Sequence, residues 1–183
     1  MLSDFINDAI LEHSFVLVEQ QYEDYNNLLF YKKELGEFQR YVITISLDEM
    51  IDALDVDVIH DKVLNYTPDN LLASPAFSKN TDLIVLLKLD NLANYKKLEE
   101  IIFSIEENPY HFKKYVLYYT EDELSFIAGK KFIDIKEILN DHAEFINYKS
   151  YPLKPCIYNM VARIFIKIPF LIMPALKKRF DTS

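Results

Sequence analysis

The sequence predicts an α+β fold. One domain would carry a mixed sheet, built from an N-terminal three-strand antiparallel meander and a central β-α-β unit, with a helical C-terminal part. Three observations predict it. Leu83 to Leu87 is an unbroken aliphatic run, too short for most helices and too apolar for a half-exposed strand, so it reads as a strand covered on both faces. Asn94 to Glu107 then places Tyr95, Leu98, Ile101, Ile102 and Ile105 at helical spacing. Tyr115 to Tyr119 is aromatic and β-branched, a second strand. Two strands joined by one helix should lie parallel, with a right-handed crossover.

The other elements follow in chain order. Leu2 to His13 reads as a short helix with Phe5, Ile6, Ala9 and Ile10 on its apolar side and Ser3 as N-cap. Phe15 to Val18, Leu28 to Tyr31 and Tyr41 to Ile45 read as strands, separated by polar turns at 23–27 and 33–37. Connections this short imply an antiparallel meander. Ser46 or Asp48 should cap a helical region over 49–65, in which the alternation Val56-Asp57-Val58 leaves room for a break or an inserted strand. Thr67 to Asn80, with Pro68 and Pro75 among small polar residues, reads as a loop. Pro109 stops the central helix. Thr120 with Glu123 three residues on predicts a capping box, and Gly129 suits the residue just past that helix. Ile133 to Ile146 reads as one more helix, with Ile135, Ile138, Leu139 and Ile146 on one side.

Composition bounds the chemistry. Half of the 183 residues are hydrophobic, enough for a real core. Only Gly36 and Gly129 are glycines, which excludes phosphate-cradling glycine loops. One cysteine, Cys156, excludes an intrachain disulfide and a multi-cysteine zinc site, and it reads as a buried structural thiol. The four histidines, His13, His60, His111 and His142, show no metal-ligand spacing and read as surface or helix-end residues. Glu99-Glu100 and Glu106-Glu107 read as the solvated side of a helix. No G-x-S-x-G occurs. No catalytic residue, metal, cofactor or small-molecule ligand is therefore expected. Met1 to Ser14 is acidic and amphipathic, unlike a secretory signal, so a cytoplasmic location is expected.

The net charge of −9 is unevenly placed. Residues 151–183 hold six Lys or Arg against one acid, a net +5, so the remaining 150 residues carry −14. An acidic body disfavours contact with nucleic acid phosphates. This divides the chain into a domain over 1–150 and a basic, proline-broken helix or arm over 151–183. The window Cys156 to Leu176 has the length of a membrane span, but Arg163, Lys167 and two prolines lie within it. The other readings of this segment are a helix over Tyr158 to Ile168 packed on the sheet, and an arm that binds a partner. Two docking patches are predicted. One is the turn bearing Tyr110, Phe112, Lys113 and Lys114, whose plainer reading is a helix stop followed by strand entry. The other is the tail, chiefly Arg163, Lys167, Phe170, Lys177, Lys178 and Arg179, where charge would speed encounter and apolar 168–176 would supply affinity.

Two resemblances bear on function. The predicted order of helix, meander, helix, strand, helix, strand is similar to the PD-(D/E)XK nuclease core. That site needs an acid and a Glu-x-Lys on neighbouring strands, and Tyr41 to Ile45 holds neither acid nor lysine; Asp24 and Glu12 fit only if that gap is ignored. The stretches Asp82 to Asp90 and Ile105 to Thr120 are more specific, above all the run EENPYHFKKYVLYYT. They resemble the middle components of bacterial ABC-three-component systems, allied to the small accessory subunit of Lamassu anti-phage systems. The resemblance implies a non-catalytic subunit that bridges or regulates an SMC-like ATPase and an effector, often a nuclease. It would meet DNA only through the complex. It supplies no catalytic residues. A divergent or inactive PD-(D/E)XK-like nuclease subunit is the alternative.

Overall fold

The computed structural model describes residues 2–18, 27–48, 54–150 and 154–171. Five strands form one sheet: β1 (Val16–Leu17), β2 (Leu28–Leu35), β3 (Phe38–Asp48), β4 (Thr81–Leu89) and β5 (Lys113–Thr120). They lie in chain order, with β1-β2 and β2-β3 antiparallel and β3-β4 and β4-β5 parallel. The meander and the parallel pair are as the sequence predicts. The β3-β4 pair is a second parallel crossover, and it draws Ser46 and Asp48 into the sheet opposite Leu86 and Lys88. They are strand residues, not helix caps, because pairing along β4 satisfies a backbone that a cap would leave half open. The cap belongs instead to Asp55, whose Oδ1 accepts from the Asp57 amide at 2.7 Å and starts α2 (Val56–Tyr66). The first part of the predicted 49–65 helix, residues 49–53, lies outside the described residues.

The β2-β3 hairpin closes more tightly than predicted. Leu35 pairs with Phe38, leaving a two-residue loop in which Gly36 takes φ 63. A glycine at the first loop position suits this tight reversal.

Side-chain alternation splits the core in two. Leu83, Val85 and Leu87 point to one face, where α2 and α4 (Tyr95–Glu106) supply Ile59, Val63, Leu98, Ile102 and Ile105. Ile84 and Leu86 point to the other, where α1 (Leu2–Glu12) supplies Leu2, Ile6 and Ile10. A short α3 (Asp69–Leu72) interrupts the predicted 67–80 loop. After β5, Thr120 and Glu123 form the predicted capping box of α5 (Glu121–Ile127), and Gly129 takes φ 71. The predicted 133–146 helix is broken into α6 (Phe132–Ile135), a 3-10 turn and α7 (His142–Ser150). Asp141 breaks it: its Oδ1 accepts from the amides of Ala143 and Glu144 and starts a new helix. Ile135 and Leu139 are buried as predicted, but Ile146 is half exposed.

The last helix, α8 (Ile157–Lys167), starts at Cys156, which is buried and unpaired with any other cysteine. Met160, Val161, Ile164 and Phe165 join the α1 core, and Ile168 and Leu171 continue it. Each such side chain stabilises the fold by about 1.5–3 kcal/mol. Of the readings left open for the C-terminal segment, α8 takes that of a helix packed on the sheet. Among the described residues no helix is long and apolar enough to cross a membrane.

Candidate functional site

The junction between α4 and β5 is built around an amino group. Pro109 ends α4, and His111 adopts φ 62, a left-handed conformation that histidine visits more readily than most residues. That turn sends Phe112 inward against Phe77 and leaves Tyr110 outside, 69% exposed. Lys114 holds the loop in this shape. Its ammonium donates to the carbonyls of Asn108 (3.0 Å), Tyr110 (2.6 Å) and Phe112 (2.9 Å) and to Asn108 Oδ1 (3.2 Å). Burial pulls Lys114 below the usual lysine value. Phe112 and Lys114 are thus buried in the fold, while Tyr110 and Lys113 face outward. Strand alternation separates them: 112 and 114 point in, 113 out.

Of the predicted tail residues, Lys167 alone meets the turn here, beside Phe112, Lys113 and Lys114. A groove of about 540 Å³ runs between the 106–115 stretch and Ile166 and Lys167 on the last turn of α8. Glu106 links its walls. It accepts from Lys167 Nζ at 2.5 and 2.7 Å, and its Oε1 also accepts from the amide of Val116 at 2.8 Å. Glu106 is therefore part of the scaffold and not a freely solvated acid. Ile166 stands 68% exposed at the rim. Sequence spacing could have found it, since it falls outside the Val161, Ile164, Phe165 and Ile168 stripe. Nothing in the sequence could pair Glu106 with Lys167, sixty-one positions away.

Arg163 sits deeper. Its guanidinium donates to Glu123 from Nη1 and Nη2, both at 3.1 Å, and to the Tyr118 carbonyl at 2.7 Å, and it lies 4.0 Å from the Tyr118 ring centroid. Glu123 is fully buried and also accepts from the Thr120 amide. Val116 and Tyr118 carry the outer edge of β5, so Glu106 and Arg163 cap an edge that would otherwise offer free backbone groups. Phe170 packs between His13 and Phe15, with ring centroids 5.5 and 5.2 Å away. Lys177, Lys178 and Arg179 lie outside the described residues, as does Asp24 of the nuclease reading.

One pairing escaped the sequence. His60 is 5% exposed, and its ring meets that of His111 at 4.9 Å in an edge-to-face arrangement. Its Nε2 has no hydrogen-bond partner among the described residues. Burial, then the charges of Lys114 and His111, lower its pKa to about 4. Among the described residues, no three His, Cys, Asp or Glu side chains could hold a metal.

The site is thus a surface groove on a scaffold of satisfied charges. No curated protein and no solved structure matches the chain. A family model described as ABC-three component (ABC-3C) system Middle Component 1 matches residues 7–143. That span runs from α1 to the start of α7 and includes the whole sheet and the 106–115 stretch. The chain belongs to the ABC-three component (ABC-3C) system Middle Component 1 family.

Proposed function

We propose that this chain is a non-catalytic accessory and regulatory subunit that bridges an SMC-like ATPase and an effector, a nuclease, in a bacterial anti-phage complex allied to the Lamassu systems. The observation that carries the reading is the family match over residues 7–143, since a middle component is by its description one member of a multi-component system. The side-chain arrangement supports it. The buried charged groups Asp82, Lys114, Glu123 and Arg163 all have polar partners within the fold, whereas Lys113 and Ile166 are exposed along one groove and Tyr110 is exposed on the turn that forms one of its walls. Exposed aromatic and aliphatic side chains beside cations are suited to anchor a protein partner. We assign this groove to the ATPase subunit.

Coexpression with the products of the neighbouring genes tests the reading. Affinity purification through a tagged ATPase should retain this chain in constant proportion through size-exclusion chromatography. Tyr110→Ala combined with Ile166→Asp should deplete it without changing its melting temperature. A chain that elutes alone and monodisperse in the presence of those products contradicts the proposal.

A further inference from the structure

A second cavity, of about 330 Å³, opens beside the β2-β3 hairpin, lined by Leu35, Phe38, Arg40, Lys79, Asp82 and Lys113 among others. Leu35 and Phe38 face each other across the last pair of the hairpin, and Phe38 is 72% exposed. Asp82 and Lys113 are neighbours at the start of the parallel strands β4 and β5. Arg40 and Asp82 cancel each other: Nε and Nη2 of Arg40 donate to Asp82 Oδ2 at 3.2 and 2.8 Å. Lys79 and Lys113 have no ion-pair partner among the described residues. The cavity therefore carries two positive charges that no described residue pairs and an exposed apolar pair, on a chain whose net charge is −9.

We infer that this cavity docks an acidic segment of a partner protein, with carboxylates on Lys79 and Lys113 and an apolar side chain between Leu35 and Phe38. Charge complementarity chooses the occupant. A nucleic acid would extend its phosphates beyond the cavity onto an acidic body, where they are repelled within a screening length of about 8–10 Å. A short acidic peptide keeps its charge over the two lysines. The apolar pair also favours a peptide, because burying a side chain there supplies affinity that two exposed ion pairs do not. Lys113 lines both this cavity and the α8 groove, so one partner surface could cover both. The inference concerns the chemistry of the ligand and stands whether or not the ATPase is the partner.

The test uses the purified full chain and a phage-displayed random peptide library, followed by fluorescence anisotropy of the peptides it enriches. Enriched sequences should combine Asp or Glu with a Leu, Ile or Phe, and their affinity should fall as salt rises. Lys79→Glu with Lys113→Glu should weaken binding by roughly tenfold or more, and Phe38→Ser by a similar factor, each a loss of about 1.4 kcal/mol. Unchanged melting temperatures would show that the variants fold. Several results would overturn the inference: no enrichment, enrichment of neutral or basic peptides, or affinity indifferent to both variants. Displacement of the peptides by a single-stranded oligonucleotide would assign the cavity to nucleic acid. Salt-sensitive self-association lost in the Lys79 and Lys113 variant would assign it to a second copy.

Discussion

A buried imidazole resists a proton, and His60 is such a group, its Nε2 without a hydrogen-bond partner among the described residues. Lys114 and His111 oppose its charging, Asp57 and Asp61 favour it, and burial outweighs them all. With the folded value near 4 and the ordinary value at 6.5, the unfolded chain binds a proton in that window and the folded chain does not. Stability should therefore fall as pH drops from about 6.5 towards 4. His60→Phe removes the titrating group and keeps a ring against His111. Its urea midpoint should fall less between pH 7 and pH 5 than that of the wild type. Equal losses would show that His60 titrates alike in both states. None of this was legible in the sequence, where His60 and His111 are remote and unpatterned. The Tyr110 turn was legible only in part. Its mix of aromatics and lysines marked the place, but Lys113 and Lys114 are adjacent and identical. Which one turns inward is settled by loop carbonyls that no sequence pattern displays.

Among the elements, α8 depends on its buried charge. Arg163 meets Glu123 inside the core and caps the β5 edge at Tyr118. Arg163→Met would leave Glu123 buried and without its counter-charge, a loss of about 3–5 kcal/mol in urea unfolding. The double variant Arg163→Met with Glu123→Gln should recover part of that loss, because no charge is then stranded and Gln can still accept from the Thr120 amide. A single-variant loss below about 1 kcal/mol would mean that the pair behaves as an exposed one. At this scale the sequence was most informative where one principle acted alone. The apolar run of β4, the spacing in α4 and the Thr120 capping box each fixed an element. It was least informative where principles competed. Ser46 and Asp48 look like caps but are taken by parallel pairing, and the helix expected over 133–146 is divided by Asp141. There the signal existed, since Asp141 followed by Glu144 has capping-box spacing, but the apolar periodicity concealed it.

For the whole molecule, the two-sided sheet explains why the site is a surface. Both sheet faces are occupied by core, and the outer edge of β5 is capped by α4 and α8. The two grooves lie at loops and rims: Lys113 and Ile166 line one, Phe38 and Lys79 the next. The resemblance carried by Asp82 to Asp90 and Ile105 to Thr120 proved a fair guide to the family, whose match extends over 7–143. The division at residue 150 was drawn from charge and proline content, and those do not reveal that α8 shares the α1 core. The proposed function requires that the chain bridge two partners. The direct measurement is retention of the effector on an immobilised ATPase, with and without this chain, from otherwise identical coexpressions. The effector should be retained only when the chain is present. Equal retention in its absence would contradict the bridging role.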